Sequence, residues 1–201
     1  MSELRRHSGF TLLELIVTII ILAIVAAYAV PSFRETVLNN RLTAQVNEVS
    51  SLIAYARSEA SKLQAGVVTA CASTDSASCS GNAAWETGWI VFTDFDGDRS
   101  VDNGDGDELL KVGGALSGGN TFRILDLTSD GGGFVQFARN GFPVTSATGN
   151  TAGTFIICDD RGAARARAVV VNVSGQTRLA RDTGGTVGVL NDHEDTDVTC
   201  P

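Results

Sequence analysis

Arg5-Arg6-His7-Ser8-Gly9-Phe10-Thr11-Leu12-Leu13-Glu14-Leu15 opens an apolar stretch that continues to Val30 and carries one charge, Glu14. At about 1.5 Å of rise per residue, such a stretch makes a helix long enough to cross a hydrocarbon core of ~30 Å. Residues 10–31 are therefore expected to span a membrane. Arg5 and Arg6 precede the run with no acid between them and it, so the positive-inside rule keeps the N-terminus cytoplasmic and sends residues 31–201 outside. A secretory signal has a shorter apolar core followed by small residues, whereas here the small residue, Gly9, comes first. A cut between Gly9 and Phe10 would leave the helix on the mature protein and create a cationic α-amino group at Phe10. A carboxylate in lipid asks for such a partner, and the Phe10 amine of another chain can supply it to Glu14.

The string Gly9-Phe10-Thr11-Leu12-Leu13-Glu14-Leu15, with Pro31 closing the first helical section, resembles the leader and N-terminal helix of type IV pilins and type II secretion pseudopilins. The resemblance implies that residues 1–9 are a cytoplasmic leader removed by a prepilin peptidase and that Phe10 is N-methylated. It also implies that the helix packs into a filament core, with Glu14 aiding registration between subunits. A plain single-pass anchor is the competing reading, and it leaves Glu14 in the bilayer without a purpose.

Beyond Pro31 the apolar residues Leu42, Val46, Val49, Ile53, Ala56, Ala60 and Leu63 recur at steps of four and three, one stripe of a helix. Residues 32–64 are read as an amphipathic continuation with a bend near Pro31, stopped by Gly66. A coiled coil would need a longer uninterrupted repeat, and Asn39 breaks this one. From Gly66 onward, eight short β-rich runs separated by turn residues begin near positions 66, 88, 108, 121, 134, 154, 167 and 176. Residues 65–201 are thus expected to form one β-rich head, and the fold class is α+β: a long N-terminal helix packed against an antiparallel sheet. A chain of 201 residues, 43% hydrophobic and 19% charged, has room for one such head once the membrane helix is set aside.

Cys71, Cys79, Cys158 and Cys200 all lie on the side expected to be outside, where disulfides persist. Four cysteines allow three connectivities. Cys71 and Cys79 flank a short Ser/Thr/Asp-rich loop, which favours that pair and leaves Cys158 for Cys200. A zinc site is the rival, but the spacing is not CxxC-like and His193 is the one histidine beyond the leader. These cysteines, with Gly88-Trp89-Ile90-Val91-Phe92, an Asp/Gly loop and Cys158-Asp159-Asp160-Arg161-Gly162, resemble the GspH/FimT branch of minor pilins and minor pseudopilins. Members of that branch sit at or near filament tips, which implies a minor, priming or tip subunit.

The formal charge of -8 is concentrated between residues 94 and 108, where seven acids face Arg99 alone. Asp94, Asp96, Asp98, Asp102 and Asp105 occupy positions one, three, five, nine and twelve of an EF-hand-like spacing, a candidate Ca²⁺ site. Arg99 stands where the sharp turn of such a loop normally has Gly, and position twelve is Asp rather than Glu. Arg161, Arg165, Arg167, Arg178 and Arg181 lie in a stretch with no acid between Gly162 and Arg181. Some FimT-like proteins are associated with DNA uptake through a Gly-Arg-x-Arg pattern, which this chain matches at Gly175 and Arg178 only. Arg165, Arg167, Gly175, Arg178 and Arg181 are the candidate DNA-binding residues, and pairing of these arginines with Asp159, Asp160 or Asp182 is the favoured alternative. With His7 in the leader and His193 in an acidic tail, a nucleophile has no base, so no enzyme activity, small-molecule substrate or cofactor beyond the candidate Ca²⁺ is expected.

The expected function is that of a minor pilin incorporated into or priming a type IV pilus and supporting assembly, adhesion or motility. A minor pseudopilin of a type II secretion system is the alternative, and a DNA-binding minor pilin is one of another class. The expected partners are the prepilin peptidase, other minor and major pilins reached through the N-terminal helix, and the inner membrane. The chain would begin as a single-pass inner-membrane protein with a periplasmic head and end in a filament.

Overall fold

The computed structural model describes residues 10–102, 104–127, 133–144 and 151–201. One long helix, α1 (Leu12–Ala60), begins after Thr11, whose hydroxyl accepts the Glu14 amide at 3.2 Å. Thr-x-x-Glu is the spacing of a capping box, so the first turn is closed by its own sequence. α1 runs without interruption through Pro31 and ends four residues before the expected 64, with single hydrogen-bonded turns reaching Leu63. The chain divides into two compact units at Arg41/Leu42. In the first, the apolar residues from Phe10 to Val30 are exposed throughout. Among the described residues α1 is the one helix long and apolar enough to cross a membrane.

In the second unit α1 buries Leu42, Gln45, Val46, Val49, Leu52, Ile53, Ala56 and Ala60. That is the expected stripe widened by Gln45 and Leu52, as a helix lying between two layers requires. The head has two sheets rather than the single one expected. Strands β1 (Val67–Ala72), β2 (Trp89–Asp94), β3 (Leu109–Gly113) and β5 (Phe134–Ala138) form a sheet of order β3-β2-β1-β5. Strands β4 (Thr121–Asp126), β6 (Gly153–Cys158), β7 (Arg167–Val171) and β8 (Thr177–Leu179) form the other, of order β4-β6-β7-β8. Every pairing is antiparallel. The strands lie where the β-rich runs stand in the sequence. Of the three strands in the chain between β1 and β5, β2 and β3 join the first sheet and β4 pairs with β6 in the second.

The main core joins the α1 stripe to the inner faces of both sheets. Trp85, Phe122 and Phe155 form its aromatic centre, with ring centroids 5.5–6.0 Å apart, the spacing that suits tilted and edge-to-face pairs. Each sheet also has a covered outer face. Cys71, Ile90 and Phe92 are buried on one sheet beneath the Cys79 and Val101 loops, and Ile156, Cys158, Ala168 and Val170 on the other beneath the segment that ends at Val198 and Cys200. Burial on both faces explains why β2 and β6 read as unbroken apolar runs instead of alternating ones.

Candidate functional site

Three regions carry the candidate residues: the start of α1, the acidic loop and the arginine-bearing hairpin. Gly9 and the rest of the leader lie outside the described residues. Phe10 is exposed just before the capped first turn, and Glu14, at the third helical position, places its negative charge at the positive end of the helix dipole. Its neighbours Leu12, Leu13, Leu15 and Ile16 are exposed, so the carboxylate stands among unburied apolar side chains.

Both outer faces are stapled. Cys71 is bonded to Cys79 and Cys158 to Cys200. Inside the first loop Asp75 accepts the Ala77 and Ser78 amides at 2.9 Å, then the Ser78 and Ser73 hydroxyls, and these bonds hold its carboxyl far below the usual carboxylate range. The loop docks on the acidic one, with the Cys79 amide donating to the Arg99 carbonyl and the Val101 amide to that of Ala77. Arg99 takes φ +70, the left-handed backbone for which glycine was expected at that position, and its guanidinium lies 4.4 Å from the Phe134 ring centroid.

The acidic loop does not gather the five expected carboxylates. Asp94, Asp96 and Asp107 approach within 4.8 Å, whereas Asp98, Asp102 and Asp105 stand outside that group. Asp107 is absent from the EF-hand-like spacing, but hairpin arithmetic finds it: Phe92 faces Leu109 across β2 and β3, so Asp94 faces Asp107 two residues further out. Both carboxylates are buried and occupied. Asp94 accepts from the Thr69 hydroxyl at 2.6 Å, the Gln136 amide at 3.2 Å and the Gly97 backbone at 2.7 Å. Asp107 accepts the amides of Phe95 and Asp102. These bonds satisfy the loop's buried charge from within the protein. Exposed Asp105 is pushed up from its usual value, first by the charge of Asp96 and then by desolvation and its other acidic neighbours.

The arginines differ in their surroundings. Arg161 donates to Asp159 through Nε at 2.9 Å and Nη2 at 2.6 Å, the pairing weighed against DNA binding. Burial works against the Asp159 charge, but the Arg161 hydrogen bonds and the charges of Arg161 and Arg165 hold its carboxyl below the usual range. Arg165 lies in a 3-10 turn, not on β7, so it does not share a strand face with Arg167. Gly175 is buried in the β7–β8 turn, while Arg178 and Arg181 are exposed and line one recess beside β8. The β7–β8 register, carried one pair past Ala168 and Ala180, sets Arg167 opposite Arg181, so Arg167, Arg178 and Arg181 share this hairpin.

His193 is a correction to its reading as a tail residue. Its side chain is 7% exposed, Nε2 lies 3.3 Å from Asp126 Oδ2, and Nδ1 lies 3.2 Å from the Thr154 hydroxyl. No local pattern signals this contact, because it joins residues 39 apart. Thr, His and Asp in line invite comparison with a catalytic relay. Thr154 is fully buried and already accepts the His193 amide at 2.9 Å, so its hydroxyl cannot reach a substrate. The arrangement pins the C-terminal segment to β4 and β6. Asp126, His193 and Glu194 also lie close enough together for a metal, with Glu194 exposed.

Residues 4–30 match the prokaryotic N-terminal methylation motif. Comparison with the curated proteins gives no match. Solved structures of similar fold include two crystal forms of the type IV minor pilin FimU of Pseudomonas aeruginosa. In space group P21 the identity is 19% over 74% of this chain and 94% of that one, with a TM-score of 0.52. In space group P65 it is 18% over 72% and 97%, with a TM-score of 0.50. At that identity the likeness is one of fold. The head and the amphipathic part of α1 have a more direct assignment: residues 45–175 match the family described as Type II transport protein GspH, and the chain belongs to that family.

Proposed function

We propose that this chain is a minor pilin, made as a prepilin with leader 1–9, cut after Gly9, methylated on Phe10 and assembled through residues 10–31 into a type IV pilus. The amphipathic section, 32–64, carries the head, 65–201, outward from the filament. One observation carries the reading: from Phe10 to Val30 the apolar residues are exposed in the isolated chain, and Glu14 is the one charge among them. Such a surface needs lipid first and then other apolar helices. In the filament Glu14 meets the Phe10 amine of a neighbouring subunit, so assembly replaces lipid around a carboxylate with a cation. The chain begins in the inner membrane with its head in the periplasm, and its partners are the prepilin peptidase and other pilins. Its role lies in priming or tip assembly, adhesion or motility.

Mass spectrometry of the protein recovered from sheared filaments tests this, with methyl-Phe10 as the expected first residue. An intact leader on the assembled protein overturns the reading. The description of the matched family favours a second one, a minor pseudopilin. Deletion separates them: loss of surface filaments with secretion intact supports the pilus, and loss of secretion with filaments intact supports the pseudopilin.

A further inference from the structure

The last turns of α1 and the turn between β7 and β8 enclose a cleft of about 540 Å³, lined by Arg57, Ser58, Ser61, Gln176 and Thr177. Arg57 reaches it between two glycines of left-handed backbone. A Cβ on Gly141 (φ +74) would meet Arg57 Nε at 3.2 Å, and one on Gly175 (φ +75) would meet the Gly141 carbonyl oxygen at 2.6 Å and Arg57 Cδ at 3.3 Å. Larger residues at either position would displace the arginine stem. Arg57 Nε donates to the Gly141 carbonyl at 3.0 Å, which holds the guanidinium at the cleft and leaves the Nη donors outside that bond. Among the described residues no carboxylate is paired with them. The Ser61 hydroxyl donates to the Arg57 carbonyl at 3.1 Å and keeps its lone pairs free to accept.

We propose that this cleft binds a carboxylate-bearing saccharide, with the carboxylate on the Arg57 Nη groups and the ring hydroxyls on Ser58, Ser61, Gln176 and Thr177. A half-buried, immobilised guanidinium without an anion presents the bidentate geometry that a carboxylate matches. The hydroxyls and amide around it, on exposed residues of an open recess, suit a ligand rich in hydroxyl groups. A protein partner would look for apolar or aromatic anchors, and the lining offers none larger than Ala54. A nucleic-acid backbone would need several cations, where this cleft has one in a chain of charge -8. The site stands independently of the filament role.

Calorimetric titration of the full chain in detergent with digalacturonate, against the neutral galactose disaccharide and inorganic phosphate, tests the proposal. Digalacturonate is expected to bind saturably, and both comparators at least about tenfold more weakly, the worth of one charge-assisted hydrogen-bonded contact. Arg57→Gln should abolish binding. Because that change also removes the Gly141 bond, Ser61→Asp serves as a second variant: it is exposed one helical turn after Arg57, the spacing at which helix side chains meet, and it offers the guanidinium an internal carboxylate while leaving Arg57 in place. Retained binding in Ser61→Asp, equal affinity for the neutral disaccharide or for phosphate, or no binding of digalacturonate overturns the proposal. A glutamate-rich peptide that binds where digalacturonate does not overturns it in favour of a protein partner.

Discussion

Glu14 has two separable duties at the level of the single residue. Its amide closes the capping turn with Thr11, and its carboxylate is the lone charge in the apolar half of α1. Glu14→Gln keeps a residue that suits a capping box and removes the charge. The expected outcome is a normally folded, membrane-inserted protein whose recovery in sheared filaments falls by about tenfold or more, the effect of a lost ion pair worth roughly 1.4 kcal/mol. Quantitative immunoblotting of filament and membrane fractions measures it, and wild-type recovery would remove the charge from the account of assembly. Gly113 is decided by packing instead. It faces Trp89 across β2 and β3, and a Cβ there would fall 1.9 Å from the indole. Gly113→Ala should therefore cost about 1–3 kcal/mol of stability, read from denaturant unfolding.

The elements differ in how much of them the sequence made legible. The period of Leu42, Val46, Val49, Ile53 and Ala56 is local, so the buried face of α1 could be read directly, and Ile53→Ala is expected to cost about 2–5 kcal/mol in thermal or chemical unfolding. The strands were legible for the same reason, since each is a short β-rich run between turn residues. Their distribution between two sheets was not, because β1 pairs with β5 over a sequence distance that no local pattern records. The same holds for Asp107, hidden by the EF-hand template but placed opposite Asp94 by strand register, and for His193, whose partners lie on β4 and β6. The disulfides rank by the loops they close. Cys71–Cys79 spans 8 residues and Cys158–Cys200 spans 42, so chain entropy assigns them roughly 2.5 and 4 kcal/mol. Cys158→Ser with Cys200→Ser should lower the unfolding midpoint more than the Cys71, Cys79 double variant, and the reverse order would point to strain or residual structure instead.

For the whole molecule the acids set the response to pH. Asp75, Glu86, Asp159 and Asp197 all titrate below their ordinary values. Burial opposes the charge of Glu86, but Arg123 and the Phe122 amide outweigh it, and Asp197 is held by the hydroxyl and amide of Thr186. The folded chain thus binds fewer protons than the unfolded one near their ordinary values. The stability they contribute is fully present above about pH 5 and is lost as pH falls through about 4 and below. Asp105 has the opposite sign: its raised value means that protonation relieves repulsion in the folded loop as the pH falls. The melting temperature should be flat from neutral to about pH 5 and drop below about pH 4. Asp105→Asn should raise it at neutral pH, by an amount that shrinks as salt is added. A melting temperature that rose on acidification to pH 3 would contradict the assignment of the four depressed carboxyls.

The bond between Cys158 and Cys200 also sets a mechanical property. Tension entering the chain beyond Cys200 passes through sulfur directly into β6, a central strand held by β4 on one side and β7 on the other. Residues 159–199 between the two cysteines, β7 and β8 among them, are bypassed by the load. They represent roughly 140 Å of contour length at full extension. Under an oxidising solution that slack is unavailable, and pulling should extend the head in one shorter step. Reduction should release the full length, so that the same pull peels the second sheet from its β8 edge before β6 gives way.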